Sequence, residues 1–427
     1  MTLMIWVAGA TAFDPEAATQ AYLATLKGAA RAKSDAYFEG GYWLILWGAL
    51  VAILGELIQL NFGLARRWRD WAERLAPRWL APALFAVPYI IAGTLIVLPW
   101  TIYTGFIREK QYDLMNQSFG DWLIDQGKNL GVGIVISAIL FTIVLAVIRK
   151  SPKRWWLWGA LTMTAFTAFG SMIVPVFINP LFNTYTEMKP GPVRDRIVAM
   201  AKANNVPAEH IYVFDASKQS KKISANVSGL GPTIRISLND NLLNRTTPAE
   251  TAAVMGHELG HYVLGHIWKS IIAFTAIFLI VFYVAYLAVP ALIRRYGAKW
   301  GVRDAADPAA IPVFFIVVAI IGVVLTPATN TLIRTNESEA DAFGLNTARE
   351  PDGFAKTALA LSEYRKIEPG PVEEFLFFDH PSGKTRIRMA MDWKAAHLAE
   401  VEAKTARSTG QPSVNATQPA DIAAPQP

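Results

Sequence analysis

Six apolar runs, near residues 42–60, 79–106, 129–148, 155–179, 270–293 and 308–333, restrict this chain to a membrane-spanning fold. A helix of about 20 residues crosses the hydrocarbon core of a bilayer, and each run is near or above that length. Hydrophobic residues make up 53% of the chain and charged residues only 17%, a balance foreign to most soluble domains. A buried helix of a soluble protein can imitate one such run, but not all six. The expected fold class is mainly α, in a polytopic membrane protein.

The formal net charge of +6 would suit a nucleic-acid partner, but its distribution argues against one. Arg66, Arg67, Arg69, Arg74 and Arg78 follow the first run; Arg149, Lys150, Lys153 and Arg154 follow the third; Arg294, Arg295, Lys299 and Arg303 follow the fifth. Clusters at alternate span ends are the positive-inside pattern, which puts these three loops in the cytoplasm and makes the bilayer the partner. The absence of cysteine excludes disulfides and thiolate-bound zinc. At the N-terminus, Leu3 to Ala10 is too short to span. Ala10-Thr11-Ala12 looks like a signal-cleavage site, although no basic residue precedes it.

The chain divides by composition into six parts. Residues 1–41 read as a lead-in, residues 40–186 as a four-span block and residues 187–267 as the first half of a soluble domain. A two-span hairpin follows over 268–333, then the second half of the soluble domain over 334–400 and a disordered tail over 401–427, rich in Pro, Ser, Thr and Gln. Within the first soluble half, Pro192 to Asn205 reads as a helix. Ile211–Phe214, Lys222–Val227 and Thr233–Leu238 read as strands of a small sheet.

The chemistry sits in His257-Glu258-Leu259-Gly260-His261. Thr247, Pro248 and Glu250 supply an N-cap, a proline at N1 and a capping-box glutamate, so a helix begins here. Histidines four apart differ by about 40° in azimuth, so both rings can reach one Zn²⁺ ion. Glu258, about 100° from His257, then stands beside the metal as a general base. A catalytic zinc keeps three protein ligands and leaves the fourth position to water. The third ligand is expected in Arg334-Thr335-Asn336-Glu337-Ser338-Glu339-Ala340-Asp341. On a helix Glu337 and Asp341 share a face, which makes Glu337 the ligand and Asp341 a carboxylate orienting one histidine from behind. Glu339 falls elsewhere and reads as a solvated charge. A metzincin would need glycine at 264 and histidine at 267, where this chain has Leu264 and Ile267. His266, nine residues from His257, falls on the opposite helix face and reads as a polar residue at the membrane boundary.

The two metal segments pass a test of consistency. One precedes the fifth run and the other follows the sixth, so a hairpin returns both to one membrane face. An intramembrane protease of the site-2 type would carry its histidines inside an apolar run. The rival from another class is a transporter with a regulatory zinc site, for which Glu56 inside the first run is the supporting feature.

With these residues in hand, the chain resembles integral-membrane zinc metalloproteases of the CAAX prenyl protease 1 type over roughly residues 170–395. The resemblance rests on Pro180-Leu181-Phe182-Asn183, Ser217-Lys218-Gln219-Ser220, Arg235-Ile236-Ser237-Leu238, both metal segments, and His380-Pro381 with Arg386-Ile387. It implies a helical barrel of spans around an aqueous chamber, closed by a zincin-type metalloprotease domain. In that family a peptide lies antiparallel to an edge strand and is cut near a lipidated C-terminus. Carried over, Asn226 helps hold the peptide, and His380 and Arg386 help hold the oxyanion. Ala225 precedes and Val227 follows Asn226, against the family pattern, and Ser224 is the alternative. The family shows seven spans where this sequence shows six. The expected function is therefore zinc-dependent endoproteolysis of membrane-associated or C-terminally lipidated proteins, with one zinc per chain. Degradation of misfolded membrane proteins without prenyl recognition is the enzymatic alternative. The charge pattern puts the catalytic side outside the cytoplasm, whereas the resemblance favours the cytosol, where prenylated C-termini are made.

Overall fold

The computed structural model describes residues 13–229 and 233–409. The signal-like segment Leu3–Ala12 and residues 410–427 of the expected tail lie outside the described residues. Six helices are long and apolar enough to cross a membrane: Gly28–Asn61, Ala81–Gln111, Phe119–Lys150, Trp155–Leu181, His266–Trp300 and Pro308–Ala348. Each expected run falls inside one of them, except that the second begins two residues before its helix.

The six close into a ring. The first packs on the sixth, the sixth on the fifth, the fifth on the fourth, the fourth on the third, the third on the second, and the second on the first. At the basic-loop end the ring is filled by Phe85, Tyr89, Phe141, Trp155, Phe282 and residues of the sixth helix from Ile311 to Ile321. Toward the soluble domain fewer span residues are buried, so the ring is packed most tightly at its basic-loop end. Trp47, Leu95, Ile139, Ile272 and Val324 on the span helices are exposed, which a soluble protein would avoid and a lipid-facing surface requires.

The soluble domain carries a four-stranded sheet of β1 (Tyr185–Glu187), β2 (Ile211–Phe214), β3 (Ala225–Ser228) and β4 (Arg235–Asn239), in the order β1-β2-β4-β3. β2 and β4 run parallel, while β1 with β2 and β3 with β4 are antiparallel. The expected second and third strands appear slightly displaced, as β3 and β4, and β1 is an addition. One core joins Ile211, Ile236 and Leu238 of the sheet to Ile197 and Met200 of helix Pro192–Ala203, and to Met255 and Leu259 of the motif helix Pro248–Val263.

Two expected boundaries are displaced. The lead-in is not separate from the first span, because helix Gly28–Asn61 runs unbroken across residue 40. Its preceding helix, Pro15–Leu23, packs on the catalytic half, with Leu23 in a core with Phe354, Ile387 and Met391, and the Tyr22 hydroxyl 2.8 Å from Asp352. The tail begins later than expected, since Leu398–Thr409 is helical. Lys404 holds it there by donating to the Arg349 carbonyl at 3.1 Å and pairing with Glu350 at 2.7 Å.

Candidate metal centre

The motif helix starts as its sequence requires. The Thr247 hydroxyl accepts from the Glu250 backbone N–H, the Glu250 carboxylate accepts from the Thr247 N–H, and Pro248 occupies the first turn. Its Gly256 and Gly260 then lie against Gly344 and Ala340 of the sixth span helix. A Cβ on Gly256 would stand 2.9 Å from the Gly344 carbonyl oxygen, and one on Gly344 would stand 2.7 Å from the His257 amide nitrogen. With no side chain between them the two backbones touch. That contact brings His257 and His261 alongside Glu337 and Asp341.

His257 Nε2 is 3.1 Å from His261 Nε2 and 3.2 Å from Glu337 Oε2, and His261 Nε2 is 3.4 Å from Glu337 Oε1. Ligand atoms of the three residues all lie within 4.8 Å of one another. Glu337 Oε2 is buried and makes no hydrogen bond. A buried carboxylate oxygen left in that condition is costly in a finished site, and two imidazole nitrogens beside it complete a donor set that suits zinc.

Behind this cluster Asp341 is fully buried. Its Oδ1 is 2.7 Å from His257 Nδ1, and its Oδ2 accepts from Arg386 Nε at 2.8 Å while Arg386 Nη2 reaches Oδ1. The contact fixes the His257 tautomer: Nδ1–H donates to Asp341 and the Nε2 lone pair is left facing Glu337. Arg386 is thus turned onto Asp341.

His261 has an analogous support that the sequence reading missed. Its Nδ1 is 2.9 Å from Nδ1 of His266, whose Nε2 is 3.1 Å from Glu339 Oε2, and Lys269 pairs with the same carboxylate. One tautomer set satisfies both contacts, with His261 donating to His266 and His266 donating to Glu339. His266 is buried, 3% exposed, so the expectation of an opposite-face polar residue is corrected. The reason is Gly265, which adopts φ 65° and ends one helix before the next begins at His266, so azimuth no longer accumulates along the chain. Glu339 is indeed exposed, but it is paired.

A cavity of about 220 Å³ opens on the cluster, lined by His257, Glu258, Glu337 and His380 among others. Burial pushes the Glu258 carboxyl above its ordinary range, and His257 and His261 pull it part of the way back. His380 turns Nε2 toward Glu337 Oε2 at 3.3 Å, with Nδ1 2.8 Å from Asp379. β3 forms one edge of the sheet. Ser224 and Ala225 line the cavity, but Asn226 does not: Ala225 and Val227 pack on the core and strand alternation turns Asn226 to the other face.

Residues 188–394 match the family model described as peptidase family M48, and residues 19–184 match the one described as CAAX prenyl protease N-terminal, five membrane helices. The chain is similar to an uncharacterized metalloprotease, YhfN, of Bacillus subtilis, with 27% identity covering 78% of this chain and 79% of that one. It is 28% identical to CAAX prenyl protease 1 of Saccharomyces cerevisiae, over 53% of this chain and 48% of the other. With a CAAX prenyl protease 1 homolog of Homo sapiens it shares 26% identity over 77% and 78% of the two chains. The solved structure of S. mikatae Ste24p superposes with a TM-score of 0.72 at 20% identity, covering 88% of this chain and 94% of that one, which establishes a shared fold.

Proposed function

From the premise that the chain belongs to peptidase family M48, and so is a membrane metalloendopeptidase, we propose that it cuts membrane-associated proteins near a prenylated C-terminus. The observation that carries the reading is the meeting of His257, His261 and Glu337 beside Glu258, at the end of a ring of membrane helices away from its packed core. A lipid-anchored chain end can reach that place without leaving the bilayer.

In this reading His257, His261 and Glu337 hold one Zn²⁺. Bound there, zinc supplies Lewis-acid chemistry, polarising the scissile carbonyl and acidifying a water. Glu258 takes the proton of the attacking water and passes it to the nitrogen of the breaking C–N bond, so that an amine leaves and a carboxylate remains. His380 donates to the carbonyl oxygen as negative charge develops on it. Arg386 acts through Asp341, keeping His257 in its ligating tautomer. The edge of β3 at Ser224 and Ala225 takes the peptide backbone, a part first expected of Asn226. Glu56 does not suggest an ion path. It accepts from the Tyr89 hydroxyl at 2.9 Å within the packed end of the ring, which weakens the transporter reading. The basic loops at the opposite span ends favour an extracytoplasmic soluble domain, whereas a substrate prenylated in the cytosol requires a cytosolic one, and a reporter fusion after Glu400 decides between them.

The test is hydrolysis of matched prenylated and unprenylated peptides by the purified chain, with and without chelator. Chelator-sensitive cleavage of the prenylated peptide is expected, with loss of turnover but retention of zinc in Glu258→Gln. Equal cleavage of both peptides would move the assignment to general degradation of membrane proteins, and an active Glu258→Gln would remove the general base.

A further inference from the structure

The cavity beside the metal cluster contains a cation that the mechanism above does not use. Among the titratable side chains lining it, His257 rests on Asp341, Arg386 on Asp341 and His380 on Asp379, while Glu337 meets the histidines. Arg365 lines the same cavity, yet its guanidinium has no hydrogen bond or ion pair among the described residues. Burial lowers its basicity, Arg386 lowers it further, and Asp379 and Glu337 act on it only at longer range. Much of the remaining wall is apolar, formed by residues such as Leu242, Val254, Phe354, Ala358 and Leu361.

Arg365 keeps its fork free. Arg386 is held by Asp341, and Asp379 bonds to His380 at 2.8 Å rather than to the Arg365 guanidinium. Half-buried in a partly apolar cleft, Arg365 is left without a side-chain partner among the described residues. A guanidinium drawn partly out of water gains from a partner, and its planar fork is shaped for a carboxylate.

We propose that Arg365 is a substrate-binding residue that takes a carboxylate of the peptide, in the first instance its free C-terminal α-carboxylate. The cavity then measures the distance from the chain end to the scissile bond. Apolar residues between the two lie along the Leu242, Phe354 and Leu361 wall, and the anchored carboxylate sets which bond reaches Glu258. This rests on the peptidase reading of the site and adds to it what the site recognises beyond the cut. An acidic side chain near the end of the substrate offers the same chemistry, so the two sources are to be separated by experiment.

Three peptides of one cleavable sequence distinguish them: a free C-terminal acid, the C-terminal amide, and the amide with glutamate as last residue. The full chain is expected to show KM about tenfold lower for the free acid than for the amide, in keeping with one charge-assisted contact. In Arg365→Gln that preference disappears through a rise in KM for the acid alone, while kcat stays within about twofold on all three. Arg365→Lys keeps part of the preference. A preference for the glutamate amide over the free acid would transfer the contact to an acidic side chain and overturn the α-carboxylate assignment. An equal fall in kcat on all peptides would make Arg365 part of the reaction or of the scaffold and overturn the proposal altogether. Inhibition of the unaltered chain by free-acid and amidated product peptides gives the same answer without a variant, the acid being expected to bind more tightly. Failure of the unaltered chain to cut any peptide would refute the peptidase reading instead.

Discussion

At the scale of single residues, the metal cluster depends on groups that never touch the metal. His257 is held by Asp341, itself fixed by Arg386, and His261 is held by His266, itself fixed by Glu339. Such supports set the ring orientation and raise ligand basicity, and their loss costs about 10- to 100-fold in metal affinity. His266→Ala and Asp341→Asn should each weaken zinc binding by that order, read by competition with a chelator of known affinity. Glu339→Gln, which keeps an acceptor for His266, should stay near the unaltered protein. If His266→Ala binds zinc undiminished, the support for His261 is ornamental. The first of these supports was legible in the sequence, because Glu337 and Asp341 are four apart on one uninterrupted helix. The second was not. Counting azimuth from His257 to His266 assumes a continuous helix, and Gly265 breaks it in the left-handed region. Arg365 escaped notice for another reason, since nothing in its local sequence distinguishes a free arginine from a paired one.

Among elements, the decisive contact is between the motif helix and the sixth span helix, where Gly256 and Gly344 let two backbones meet. Gly344→Ala would set a Cβ 2.7 Å from the His257 amide nitrogen and 3.0 Å from its Cα. Backbone atoms cannot swing aside as a side chain can, so the helices must separate, at a cost of about 1–3 kcal/mol. Lower thermal stability together with loss of bound zinc is the expected outcome. Gly322→Ala, on the same helix with nothing within 4 Å of its Cβ, serves as the control and should be neutral. The helix ends of this contact were readable from Thr247, Pro248 and Glu250, but the glycines were not, because a glycine seam declares itself only when its partner surface is known. The sheet divides the same way. β2 and β4 carry β-branched and apolar residues and could be read locally, whereas β1 is three residues held by pairing with β2 and has no local signature.

For the whole molecule, the apolar runs reveal six spans, and the hairpin argument brings both metal segments to one face. The lead-in was harder to place, since residues Pro15–Leu23 find their partners more than 300 positions away, at Asp352 and Arg388. If the basic loops lie in the cytoplasm, as their charge favours, a reporter active only in the cytosol should be silent when fused after Glu400. A strong cytosolic signal would invert the topology and leave the metal cluster as described. The sixth span helix also has a mechanical consequence. Ile311–Ala348 is a single helix of 38 residues, about 57 Å long, with Pro327 inside it, its first half in the packed ring and Glu337 and Asp341 near its far end. A bilayer thinner than the apolar stretch tilts such a helix and moves its tip, whereas a thicker one draws it upright or is thinned around it. The motif helix, on the neighbouring element, need not follow by the same amount. Turnover in vesicles of graded acyl-chain length should therefore peak at one thickness and fall on either side, with zinc content unchanged near the optimum. Such a peak would mean that membrane thickness reaches the site through the helix that carries Glu337.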